Sequence, residues 1–315
     1  MKTSLQQINV SSVAGYAAVV AAAACWGTAG VFIKLISANQ TVSAIALAFW
    51  RDTATFICLL LVGLMTMPGK LRLQRSDWGL MAGMGASLGL FHILYNVGIM
   101  FNGAAVTTVQ QAVMPAIVTI AARYLWQEKL TGRKMLALVS AFAGTVLVAG
   151  LTDLKASGLT LSGLLTGLSV PCLYAGWNLF GKRLRMQYDA LVVLVFAFGI
   201  AAVLLLPLQF FTSQPWPVPP LSRFWFTCLI VVSTLAAFYL YAVGIGRLQA
   251  GIASIVLMSE IAFAVFYAYL FLQERLTMSQ IAGAVLVVGG VLNLLRRKKP
   301  DPVDQALTST RRSGV

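Results

Sequence analysis

Residues 127–131 read QEKLT, and residues 273–277, 146 positions later, read QERLT. Each copy follows a long apolar segment, Val106 to Leu125 in the first case and Ile252 to Leu272 in the second. The same offset carries Tyr95 onto Tyr241, Gly98 onto Gly244, Ala104 onto Ala250 and Gly144 onto Gly290. Upstream, an offset of 148 puts Trp26 on Tyr174, Phe32 on Phe180 and Lys34 on Lys182. One duplicated unit therefore accounts for most of the chain.

The unit is written in membrane-type sequence. Of 315 residues, 59% are hydrophobic and 10% charged, with a mean hydropathy of +0.84, far too apolar for a water-soluble domain. A helix needs about 20 apolar residues to cross roughly 30 Å of hydrocarbon. On that ruler the chain holds ten spans, near 13–36, 43–66, 78–100, 104–125, 133–150, 160–182, 189–210, 222–243, 250–271 and 279–295. The expected fold is an all-α membrane protein of ten transmembrane helices, arranged as two five-helix repeats over 13–150 and 160–295. Residues 296–315 are polar, basic and proline-containing, which predicts a disordered cytoplasmic tail.

The net charge of +14 belongs to topology and not to nucleic acid. With the N-terminus inside, the inner loops and tails carry seventeen Lys and Arg, and the outer loops carry only Lys155, Arg223 and Arg275. That asymmetry puts both termini in the cytoplasm of a multi-pass protein, most simply of a bacterial inner membrane, with anionic lipid headgroups beside its basic loops. The polar first dozen residues lead directly into a full-length span, so no cleavable signal peptide is expected. Cys25, Cys58, Cys172 and Cys228 all fall in apolar segments, and no disulfide is expected.

Each unit has five spans, an odd number, so the second enters the membrane from the opposite side. That is an inverted repeat, the architecture from which many secondary transporters are built. The residues also resemble the EamA-type drug/metabolite transporter superfamily. The resemblance rests on WGTAGVFIKL at Trp26 to Leu35, on FWRD around Arg51, and on Ala104 through Pro115 and Glu128 to Gly144. It returns in the second half from Ala250 through Glu260 and Glu274 to Gly290, and covers nearly all of 13–295. Where family members often carry Glu-Pro, this chain has Glu260 followed by Ile261, which keeps the carboxylate and removes a helix-distorting proline. The resemblance implies ten helices, two repeats and transport of small metabolites, often export; it supplies no substrate.

Ionisable groups inside hydrocarbon are costly unless paired or wet, so each is a functional candidate. Arg51, Asp52 and Glu260 fall at similar depth, reckoned at about 1.5 Å per residue. Glu260 is the first candidate for substrate or proton binding, because removal from water makes its charged form expensive and lets it change charge during a cycle. The competing reading is a permanent ion pair with Arg51, and Asp52 reads as a structural partner of Arg51 or of an amide. His92, the single histidine, shares a helix face with Tyr95 and Asn96 and is the second proton-coupling candidate, or a histidine held by one hydrogen bond. Gln111 lies nearby with Gln110, and Pro115 lacks the backbone donor that would bond the Gln111 carbonyl. Tyr174, Trp177 and Asn178 share a face after Pro171, and Trp26 is related to Tyr174 by the repeat; aromatic walls with a few polar groups suit amphipathic solutes. For any one aromatic, ordinary packing is the alternative. Gly79 with Gly83, Gly85 with Gly89 and Gly163 with Gly167 have the spacing of helix-packing seams, Trp78, Trp126, Trp216 and Trp225 that of interfacial anchors, and Glu128 and Glu274 sit at helix ends in structural positions.

Other classes fit poorly. A phosphate-binding G-x-x-x-x-G-K-[ST] loop is absent, as are H-E-x-x-H, clustered aspartates, and a nucleophile paired with a base. No catalytic residue, metal or cofactor is expected, which sets an integral membrane enzyme behind a carrier. The reading is a secondary transporter of small amphipathic metabolites, amino acids or related amines and carboxylates first, working by alternating access and most simply as an exporter. Efflux of drug-like or quaternary cations is the alternative within transport. Substrate, direction, coupling ion and oligomeric state are left open.

Overall fold

The computed structural model describes residues 3–37, 43–148, 161–212, 220–273 and 277–295, all helices and short connections with no strand among them. The first span is two helices, α1 (Thr3–Gly27) and α2 (Ala29–Ser37), parted at Thr28. The second is α3 (Ala44–Thr66), capped by Ser43, whose Oγ accepts from the Ala46 amide. After a single 3-10 turn at Arg75–Asp77 comes α4 (Trp78–Gln111), then α5 (Met114–Leu125) and α6 (Gly132–Val148). The second half runs α7 (Leu161–Leu184), α8 (Ala190–Leu205), α9 (Pro220–Ile230), a π-helical turn (Val231–Ala236), α10 (Ala237–Arg247), α11 (Ala250–Leu257), α12 (Ser259–Leu272) and α13 (Met278–Leu295).

Six of these segments are long and apolar enough to cross a membrane: Val13–Ile36, Ile45–Thr66, Arg75–Tyr95, Ala190–Phe211, Ser222–Arg247 and Ala250–Leu272. Met114–Leu125 and Met278–Leu294 are shorter apolar helices, and α6 and α7 adjoin residues outside the description. The expected separation of the third span (78–100) from the fourth (104–125) is corrected: helical backbone continues from Trp78 to Gln111, and the interruption falls at Ala112 and Val113. The reason is Pro115, which has no N–H to offer the Gln111 carbonyl, whereas Asn102 and Gly103 do not oblige the backbone to leave the helix. The matched place in the second half, Met258, is also interrupted, although Ile261 stands where a proline would. There the Met258 amide bonds the Ile255 carbonyl and the Ile261 amide bonds the Met258 carbonyl, a tightened turn made without proline.

The duplication is visible in backbone detail. Gln127 and Gln273, the first residues of the two QE[KR]LT strings, are the two non-glycine residues with positive φ among the described residues, at 54° and 53°. Each ends its span in the left-handed conformation that closes a helix. Where helices touch across the repeats, glycine sets the distance. A Cβ on Gly144 would lie 2.6 Å from the Gly283 carbonyl oxygen, so α6 and α13 meet backbone to backbone. Gly85 and Gly89 face α8 at Ile200 and Ala201, and Gly83 faces Phe180 of α7, as packing seams should. Gly79 is no seam, having open space around it, and Gly163 and Gly167 fall outside the described side chains. Of the expected anchors, Trp78 is exposed, Trp225 stacks on Phe32, Trp126 packs against the core, and Trp216 lies outside the described residues.

Gly144→Ala forces a methyl group into the α6–α13 crossing and is expected to destabilise the protein by about 1–3 kcal/mol. Gly79→Ala, made where there is room within a helix, is expected to be neutral or stabilising by about 0.5–1 kcal/mol. Thermal unfolding of the two variants in one detergent checks both expectations.

Candidate functional site

The polar groups of the first repeat converge on one histidine. Arg51 and Asp52 are adjacent on α3, and His92 faces them from α4, placed there by the Gly85 and Gly89 seam one to two turns earlier. The Arg51 Nη2 lies 2.5 Å from His92 Nε2, and His92 Nδ1 lies 2.9 Å from Asp52 Oδ2. A guanidinium can only donate, so Nε2 accepts and the ring proton sits on Nδ1, donating to the carboxylate. The imidazole is therefore neutral and transmits the balance of charge between Arg51 and Asp52. His92 thus makes two bonds, not the one that a merely satisfied histidine needs. Asp52 is fully buried, and its Oδ1 and the Arg51 Nε have no hydrogen-bond partner.

Next to this relay stands a continuous aromatic cluster drawn from both repeats. Trp26 of α1 packs edge-on against Trp177 at 6.1 Å and Phe238 at 4.8 Å, and tilts on Tyr241 at 5.4 Å. Trp177 stacks between Tyr174, at 5.8 Å, and Tyr241, at 5.3 Å. Phe91 stacks on Tyr174 at 4.7 Å and touches both His92 and Tyr95, joining the cluster to the relay. The Trp177 Nε1–H is buried without a partner. Below the rings, Asn178 donates to the Tyr174 carbonyl and to the Met114 sulfur, and accepts from the Tyr241 hydroxyl. Met114 is the residue that the repeat matches to Glu260, so the symmetric position is filled by packing on one side and by a carboxyl on the other.

Glu260 opens α12 immediately after the Met258 interruption. Its carboxyl makes no hydrogen bond or ion pair among the described residues; Arg51 in particular is engaged with His92 instead. The helix carrying Glu260 is held by a close crossing: a Cβ on Gly27 would lie 2.8 Å from Phe263 Cβ, so only glycine lets α12 approach α1 beside Trp26.

Of the residues singled out from the sequence, Trp26, Arg51, His92, Tyr95, Tyr174, Trp177 and Asn178 come together. Glu260 stands beside them, Gln111 lies at the end of α4 with no hydrogen bond among the described residues, and the Asn96 side chain falls outside them. The sequence reading missed Phe91, Phe238 and Tyr241. Tyr241 had a signal, since it is the repeat partner of Tyr95. The reading also missed the meeting of two irregular turns, where Thr28 at the α1–α2 break bonds Ser233 of the π-helical turn, Oγ1 to Oγ at 2.7 Å. A π turn inside an α-helix commonly marks a functional position. A cavity of about 460 Å³ between α6 and α13, lined by Leu136, Val285 and Gly289 among others, lies away from this cluster on the apolar outer face.

Residues 13–150 and 161–296 each match the model of the EamA-like transporter family. The uncharacterized transporter YwfM of Bacillus subtilis (strain 168) is 24% identical over 277 residues, covering 87% of this chain and 91% of its own length. The uncharacterized transporter YoaV of the same organism is 26% identical over 227 residues, covering 70% and 77%. A solved crystal structure, 17% identical, superposes with a TM-score of 0.76 over 95% of this chain and 99% of its own, a likeness of fold. With both halves matched, the chain belongs to the EamA-like transporter family.

Proposed function

We propose that this protein is a secondary carrier of small amphipathic metabolites, amino acids or related amines and carboxylates, working by alternating access as an exporter. The observation that carries the reading is that two groups are left open beside one aromatic cluster: the Arg51 Nε–H, buried without a partner, and the Glu260 carboxyl, which makes no hydrogen bond or ion pair among the described residues. A zwitterion has the complement of both. Its ammonium group would face Glu260 and the ring faces of Tyr174 and Trp177, where cation–π attraction adds to the ionic one. Its carboxylate would take the unpartnered Nε–H of Arg51, whose Nη2 is held by His92. The apolar remainder would lie against Trp26 and Phe238.

Both repeats contribute to the site, which is the arrangement that rocking of two halves requires. The relay supports the same reading energetically. Asp52 offsets Arg51 through His92, so the guanidinium can stay charged in hydrocarbon between substrates. Glu260 has no such offset, which makes it the group best suited to exchange a proton for an ammonium group. The charge asymmetry of the loops supports an inner-membrane placement with both termini cytoplasmic. The cation-efflux reading has one observation in its favour, that the Glu260 carboxyl makes no ion pair among the described residues; the two readings part at Arg51.

Vesicle flux tests the carrier. Glu260→Gln is expected to abolish flux driven by a pH gradient while leaving solute exchange measurable, and unchanged pH-driven flux would remove Glu260 from coupling. Arg51→Lys keeps the charge and loses the planar fork. It is expected to raise the KM for zwitterions about tenfold and leave amines without a carboxylate unaffected. Equal effects on both classes would favour the cation reading.

A further inference from the structure

The basic end of the helical bundle is bound together by a set of contacts that converge on the α10–α11 turn. Glu128 belongs to the first QE[KR]LT string, yet its carboxylate reaches into the second repeat. Its Oε1 accepts from the Ala250 amide at 2.8 Å and its Oε2 from the Gly251 amide at 3.3 Å, the first two residues of α11. The same Oε2 pairs with Lys134 at 3.2 Å, and both side chains are buried. On the other side of the turn, Lys182 Nζ donates to the carbonyls of Ile245 and Leu248, at 2.9 and 2.6 Å, and Arg185 Nε donates to the Ala242 carbonyl at 2.7 Å. An acid thus sits at the start of α11 and two cations at the end of α10, each on the helix end whose dipole favours it. Further out, the Tyr188 hydroxyl donates to Asp77 Oδ2 at 2.5 Å and accepts from the Gln74 amide, tying the repeats together once more. The Asp77 carboxylate, accepting this bond, pushes the Tyr188 phenol up from its ordinary value.

These contacts have a direction. The segment that Glu128 grips is only eight residues long, and it ends at the Met258 interruption, beyond which α12 carries Glu260. Gly251 brings α11 against Thr119 of α5, where a Cβ would meet Thr119 Oγ1 at 3.1 Å, so α11 has no slack toward the first repeat. Lys129, Lys134, Lys182, Arg183, Arg185 and Arg247 all lie at this end, the end that the loop charges assign to the cytoplasm.

We propose that Glu128 is a positioning residue that latches the basic end of the bundle shut by holding α11, and that its release from the Ala250 and Gly251 amides opens the path to that face. The latch acts through α11 and the Met258 break on the helix that bears Glu260, and touches no substrate. It rests on the carrier reading for its purpose, but its geometry is independent of what is carried.

Ser254, fully buried one turn into α11, reports the latch. In a chain with Cys25, Cys58, Cys172 and Cys228 replaced by serine, Ser254→Cys is labelled with a membrane-impermeant maleimide in vesicles of either orientation. Protection is expected with Glu128 intact. With Glu128→Gln, the labelling rate is expected to rise about tenfold from the basic side only, with the thermal transition retained. An unchanged rate in folded Glu128→Gln protein overturns the proposal, as does an equal rise from both sides, which would mark general loosening. Should Glu128→Gln fail to fold, Lys182→Met frees the other side of the turn and is expected to give the same one-sided rise; no rise there overturns the proposal equally. No transport is needed for this readout. Labelling that responds in a protein that moves no solute keeps the latch and removes the carrier, and flux without a labelling response does the reverse.

Discussion

A charge in hydrocarbon must find its compensation inside the protein, and the interior of this chain is arranged around that constraint. Arg51 and Asp52 are neighbours in sequence but do not pair directly; His92 stands between them, fixed as a neutral tautomer by the donor-only guanidinium. Three residues from two helices thereby keep one positive and one negative charge in place with little net cost. The rest of the site can then be apolar and aromatic. It also leaves Glu260 as the one carboxyl at that depth whose state of charge is not already answered by a neighbour.

The same economy governs the backbone. Hydrocarbon offers no partner to an unpaired amide or carbonyl, so the described chain is helical and its irregular points are packed against other elements. The break at Thr28 meets the π-helical turn through Ser233, and the Met258 break lies among Ala112, Ala141 and Val287. Glu128 answers the exposed amides of α11, and Lys182 the exposed carbonyls of α10. Each device that permits a bend is sealed by a side chain from another element, and often from the other repeat.

Much of this was legible in the residues. The 146-residue offset marked the duplication, and the left-handed turns at Gln127 and Gln273 fall at matched places in it, though nothing in the two strings announced a positive φ. Pro115 carried the signal for the break before α5, since a missing N–H has a fixed consequence four residues earlier, but apolar length alone divided the spans at 100–104 instead. The helical faces of His92 with Tyr95 and of Tyr174 with Trp177 and Asn178 were readable because spacing alone sets a face. Which faces meet was not readable, so Phe91, Phe238 and Tyr241 were missed and the partner of Arg51 was sought in Glu260. The Met258 break was also hidden, because no proline or glycine marks it. Glu128 read as structural from its place at a helix end; that its carboxylate crosses into the other repeat is a tertiary fact with no local signal.

In the proposed function two inverted halves carry a zwitterion through a site they share. The most direct measurement is counterflow: purified protein in vesicles loaded with an unlabelled amino acid, with uptake of the labelled form followed at equal pH on both sides. The account predicts a saturable, transient accumulation of label that protein-free vesicles lack and that an amine without a carboxylate does not support. Absence of accumulation across a panel of amino acids, with the protein folded, would contradict it.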